Sequence, residues 1–130
     1  MSIDEKVVCK NVESRIVKYF NDMRELESYQ SQLQYYKENM SIFNTCSKDK
    51  MDKINNEIDN TKLKIAEIKF KNKSIEEMIN SFTEEEKEYL KLRYKEKLTV
   101  VGVRNALYMC EKTYYKTKRN IIGKLSSVVL

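Results

Sequence analysis

The sequence predicts an all-α protein, a long N-terminal coiled-coil helical hairpin followed by a small C-terminal domain of short helices. Three observations carry this expectation. The 130 residues contain no proline and only two glycines, Gly102 and Gly123, so the strongest helix breakers are nearly missing. Two long runs place apolar residues at alternating steps of three and four, the spacing that lines one face of a helix. Thr83, followed three residues later by Glu86, has the form of a capping box and opens a separate final third.

The first run is Val12, Ile16, Tyr19, Met23, Leu26, Gln30, Leu33, Lys37 and Met40, with Gln30 and Lys37 its only polar members. It predicts a helix of about eight turns, roughly 40 Å at 1.5 Å per residue. The second run is Met51, Ile54, Ile58, Thr61, Ile65, Ile68, Asn72, Ile75, Ile79 and Phe82. Two such stripes predict a coiled coil. Between them, residues 41–49 contain the turn and cap formers Asn44, Ser47 and Asp49, a connector short enough for an antiparallel hairpin. Pairing of each stripe with its copy in a second chain fits the same pattern. Two narrow stripes bury little surface, so dimerisation or docking is expected in addition to the hairpin. Asn72 either fixes the register at a cost in stability or marks a break, since Ser74 and Glu77 form a second capping-box pattern that restarts a helix.

Residues 1–82 thus form the hairpin and residues 83–130 the C-terminal domain. Within the latter, a helix with Tyr89, Leu90, Leu92 and Tyr94 on its apolar positions runs from Thr83 to about Lys97. A second runs from Thr99 to Leu107, residues 108–110 make a tight turn, and a third runs from Glu111 to about Leu125. On the third helix Tyr114, Thr117, Ile121 and Leu125 form an inward face with Leu90, Val103 and Leu107. Glu111, Lys112, Tyr115, Lys116 and Arg119 share the opposite face.

Charge divides with the domains. Residues 1–82 hold 14 basic and 14 acidic side chains, whereas residues 83–130 hold 11 and 6, so the whole net charge of +5 lies in the final third. A basic segment of this kind suggests a polyanionic partner. With no histidine and three widely spaced cysteines, Cys9, Cys46 and Cys110, neither zinc binding, a disulfide framework nor acid–base catalysis is expected. The acids Glu84, Glu85, Glu86 and Glu88 are read as complements of a helix dipole, with no metal site. The start, with Asp4, Glu5 and Lys6 before two apolar residues, does not read as a secretory core, and no stretch approaches the roughly 18 apolar residues of a membrane span. A non-enzymatic, cytoplasmic protein without cofactor or membrane contact is expected.

The stretch LRYKEKLTVVGVRNALYMCEKTYYKTKRNIIGKL resembles region 4 of sigma-70 factors and phage late-transcription regulators of the ArpU/RinA type. The likeness lies in order and spacing: Leu-Arg-Tyr ending one helix, Leu-Thr opening the next, a Leu closing it, a short turn and a basic helix ending in Lys-Leu. It covers about a third of the chain. The N-terminal coiled coil with its tyrosines matches the phage regulators better than a full sigma factor. The resemblance implies a helix-turn-helix whose last helix enters the major groove of double-stranded promoter DNA, in a transcription regulator that acts with RNA polymerase and dimerises through its coiled coil. It further implies base readout by Glu111, Lys112, Tyr115 and Lys116, and phosphate contacts from Thr99, Arg104, Lys118 and Arg119. Two positions depart from the family pattern. Arg104 replaces the usual small residue of the second helix and Tyr108 the usual glycine of the turn, with Gly102 expected to supply the missing room. Two other readings fit the composition: a small-terminase-like DNA recognition subunit, assembled as a ring, and a sigma mimic that binds polymerase without DNA.

Overall fold

A computed structural model describes residues 3–129. Among these residues the chain is helical, with six α-helices and no strand: α1 (Ile3–Glu38), α2 (Met40–Phe43), α3 (Lys48–Asn80), α4 (Glu84–Leu90), α5 (Val100–Leu107) and α6 (Glu111–Val129). A π-helical turn, Lys91–Lys95, extends α4. No helix among the described residues is long and apolar enough to cross a membrane. The chain forms two compact units, residues 22–72 and a second made of residues 3–21 with residues 73–129.

Residues 22–72 fold back on themselves within one chain as an antiparallel hairpin. The Tyr36 hydroxyl donates to Glu57 at 2.6 Å, the Lys64 ammonium lies 5.2 Å above the Tyr29 ring, and Asn72 Nδ2 donates to Asp22 Oδ2 at 3.0 Å. The residue numbers of each pair have a nearly constant sum, as one antiparallel register requires. Ser47 begins α3 by accepting the Met51 amide on its carbonyl and the Lys50 amide on its Oγ. The α3 seam is as expected, with Thr61, Ile68 and Asn72 buried and Met51, Ile54, Ile58 and Ile65 half-buried. On α1 the seam passes through Tyr29 and Tyr36, while Gln30 and Lys37 are exposed. A one-residue shift at each place puts an aromatic ring against α3 in place of an amide or an ammonium.

Helix α3 continues through Asn72 without a break, so Ser74 does not restart a helix. The Asn72 side chain is fully buried and also donates to the Ile68 carbonyl at 3.0 Å. Asp22 lies on the seam as well, buried and 3.5 Å from the Lys71 ammonium. This polar layer specifies register, because any slip would leave a buried carboxylate and a buried amide without partners.

Most of the closely packed core lies in the second unit. Val12, Ile16, Tyr89, Leu90, Val103, Tyr114, Ile121 and Leu125 are fully buried there, and Phe82 and Ile75 nearly so. A division at Phe82 and Thr83 would separate these side chains, whereas the compact unit joins the start of α1 and the end of α3 to α4–α6. Three short helices of this size expose too much apolar surface to be stable alone. Thr83 caps α4 as expected: its Oγ1 accepts from the Glu86 amide at 3.1 Å, and Glu86 Oε1 accepts from the Thr83 amide at 3.0 Å. The helix widens into the π turn, where the Glu96 amide reaches the Lys91 carbonyl five residues back at 2.9 Å. It stops at Lys97, whose φ of 58° is left-handed.

Candidate nucleic-acid interface

Helix α5, a three-residue turn and α6 follow one another as expected, with α6 running on to Val129, four residues past the expected end at Leu125. Thr99 caps α5 through its Oγ1, which accepts the Gly102 amide at 3.0 Å. Arg93 Nη1 donates to the Leu98 carbonyl at 3.0 Å and braces this entry against the π turn. Tyr108 ends α5 in the left-handed region at φ 54°, ψ 42°. The amides of Tyr108 and Met109 both donate to the Arg104 carbonyl, and Arg104 Nε returns a 3.4 Å bond to the Met109 carbonyl. Met109 is buried and anchors the turn. Gly102 does not make room for α6. A Cβ placed there would meet Leu98 and Thr99 atoms at 3.3–3.9 Å, so the missing side chain admits the start of α5, while Val103 takes the buried position.

Helix α6 has two distinct faces. Tyr114, Ile121 and Leu125 are buried and Thr117 half-buried. The Tyr114 hydroxyl accepts from the Tyr89 hydroxyl at 3.4 Å. Glu111, Lys112, Tyr115, Lys116 and Arg119 are all exposed, which places three cations, one carboxylate and one phenol on a single solvent-facing surface. Tyr115 packs edge-on to Tyr114 with ring centroids 5.1 Å apart, so the phenol on that surface is held by the core. Asn120, four residues beyond Lys116, is exposed too; extending the helical period by one turn adds it to the set.

The residues expected at phosphates fall into two groups. Arg119 belongs to the exposed face and Thr99 is exposed, although the Thr99 oxygen already serves as a cap. Arg104 and Lys118 are half-buried and have intramolecular partners, the Met109 carbonyl for the first and Glu13 Oε1, at 3.9 Å, for the second. Glu13 is a hub that no pattern in the sequence marks. It also accepts from the Tyr94 hydroxyl at 2.7 Å and from the Cys9 thiol at 3.3 Å, so one carboxylate of α1 ties together the π turn and α6. Burial, and then the neighbouring Tyr89 and Glu13, push the Tyr94 phenol well above its ordinary range. The Tyr94 phenol therefore holds its proton throughout the physiological range. The start of α1 also runs beside α6, where Val8, Tyr115, Lys118, Arg119 and Ile122 border an open groove of about 640 Å³.

Cys110 is exposed at the start of α6, with its sulfur 3.2 Å from the Thr113 hydroxyl and its carbonyl accepting from the Tyr114 amide. The Thr113 hydroxyl and the first amides of the helix lower the thiol pKa. At the far end of the same helix Lys124 is exposed but lies off the face of Glu111 and Arg119, where it pairs with Glu86 at 3.1 Å and lies 5.3 Å above the Phe82 ring. Comparison with known protein families, curated proteins and solved structures finds no match for this chain.

Proposed function

We propose that this chain is a sequence-specific double-stranded DNA-binding transcription regulator, of the kind its resemblance to phage late-gene regulators and sigma region 4 implies. The supporting observation is the exposed face of α6, where Glu111, Lys112, Tyr115, Lys116 and Arg119 lie together opposite a buried apolar face, directly after a capped helix and a tight turn. Such a helix presents a groove-reading surface when its N-terminal members meet base edges. Lys112 and Lys116 donate to guanine, Glu111 accepts from cytosine N4, and Arg119 and Thr99 hold phosphates. Arg104 and Lys118 act mainly through the turn and through Glu13, by keeping α5 and α6 in place. RNA polymerase is the proposed protein partner, and a homodimer through the hairpin the proposed assembly.

The test is selection of binding sites from a pool of random duplexes at two salt concentrations, followed by sequencing of the retained fraction. The expected result is enrichment of a short motif that persists at the higher salt. Retention without enrichment, lost as salt rises, would mean purely electrostatic binding and would transfer the proposal to a polymerase-docking sigma mimic.

A further inference from the structure

An open groove of about 660 Å³ separates the first half of α1 from the π turn, with Lys10, Ser14 and Val17 on one side and Arg93 and Lys97 on the other. No sequence pattern marks it, since residues 1–82 are neutral as a whole and its two walls come from distant parts of the chain. Lys10 and Lys97 are exposed, and among the described residues neither makes an ion pair. Arg93 is half-buried and held in place: its Nη1 donates to the Leu98 carbonyl at 3.0 Å, and its guanidinium lies 5.9 Å from the centre of the Tyr94 ring. The acid that lines the groove, Glu13, already accepts from Tyr94 and Cys9 and lies 3.9 Å from the Lys118 ammonium. Three cations thus face a carboxylate whose charge is answered by a fourth.

We propose that this groove holds backbone phosphates of the duplex that α6 reads, which makes the first half of α1 part of the DNA-binding surface. The proposal rests on the DNA-binding reading above and adds a contact outside the helix-turn-helix segment. Three observations select a duplex backbone as the occupant. The first is position: Lys97 lies two residues before Thr99, and Arg93 is bonded to Leu98 beside it, so the groove adjoins the start of α5, where Thr99 is placed at a phosphate. The second is rigidity. Glu13 joins the groove wall to Lys118 of α6, and both walls belong to the same compact unit as α6, which fixes the spacing between the groove and the reading helix. The third is donor chemistry. Two lysines act on phosphate as mobile point charges, while the braced guanidinium and the exposed Ser14 hydroxyl add directed donors. Exposed Lys18, two turns beyond Lys10, extends the basic edge along α1, as a passing chain of phosphates requires and a single small anion does not.

The experiment measures affinity of the full chain for its selected duplex and for a scrambled one across a salt series, with charge-matched double variants. Lys10→Gln with Lys97→Gln removes the exposed cations of the groove, Lys112→Gln with Lys116→Gln removes two from α6, and Lys50→Gln with Lys53→Gln removes two from the hairpin. Helical circular dichroism confirms that each variant is folded. The groove pair should lower the slope of log affinity against log salt by about 2 and weaken both duplexes by the same factor. The α6 pair should weaken the selected duplex more than the scrambled one, and the hairpin pair should behave as wild type. A groove pair that behaves as wild type, or no differently from the hairpin pair, overturns the groove and leaves the α6 reading intact. A lowered slope in the groove pair beside an α6 pair without effect keeps the groove and overturns the base-reading face. A wild type that binds no duplex at any salt overturns both.

Discussion

Tyr108 departs from its intrinsic preference more than any other residue around the α5–α6 turn. It occupies the left-handed region, where a side chain costs about 1 kcal/mol relative to glycine, and it is 96% exposed. Tyr108→Gly should therefore raise the stability of the folded chain by about 0.5–1 kcal/mol, read as an increase in the denaturation midpoint. A decrease would mean that the ring contributes contacts in the folded state. On α6 the exposed cations are expected to divide by role. Lys116→Ala should weaken specific binding about tenfold and relax sequence preference, while Arg119→Ala should weaken specific and non-specific binding together and flatten the salt dependence. Titrations against the selected site and a scrambled duplex separate these outcomes, and a variant indistinguishable from wild type would remove its residue from the interface.

Two elements depend on buried polar groups whose energetics can be read separately. In α4, burial raises the Glu86 carboxyl, but the Thr83 amide and the Lys124 ammonium outweigh it and hold the carboxyl below its ordinary value. A depressed folded-state pKa contributes stability that is complete above the ordinary carboxylate value and lost as pH falls through the folded one. Glu86→Gln keeps a capping side chain but not the charge, so it should cost about 0.5–1 kcal/mol at neutral pH. The gap to wild type should close between about pH 5 and 3, and a constant gap across that range would remove the charge from the account. In the hairpin, Asn72→Leu leaves the Asp22 carboxylate buried without its amide donor and should cost about 1–3 kcal/mol. The double change Asp22→Leu with Asn72→Leu should recover most of that loss, because two apolar side chains can pack where the polar pair sat. A double-mutant cycle measured by urea unfolding gives the coupling, and additive costs would refute it.

At the scale of the whole molecule, residues 83–130 do not contain all of the core that holds them. Val12, Ile16, Ile75 and Phe82 are buried in the same unit as α4–α6, and Glu13 bonds to Tyr94 and Lys118 from outside the segment. The isolated fragment 83–130 should therefore lack a cooperative thermal transition, and a sharp two-state transition in that fragment would show that α1 is dispensable. If DNA binding follows the fold, loss of the first helix should abolish it even though every proposed base-reading residue is present.

The sequence by itself determined the helices, because their signals are local. Apolar steps of three and four, the Thr83–Glu86 capping box and the turn before Glu111 act within a few residues, and the structure starts α4, α5 and α6 where those signals lie. The two faces of α6 were legible for the same reason, since helical period alone sorts Tyr114 and Ile121 from Lys112 and Lys116. Only the tertiary structure decided what depends on distant partners. Whether the stripes close within one chain follows from the pairing of Tyr36 with Glu57 and of Asp22 with Asn72. Tyr29 and Tyr36 displaced Gln30 and Lys37 from the seam because α3 provides a surface for their rings. Glu13 gained its role, and Lys118 was drawn from solvent toward α1, because side chains more than 80 positions apart meet in one core. No local spacing encodes that meeting, since it is set by how whole helices pack to remove their shared apolar surface from water.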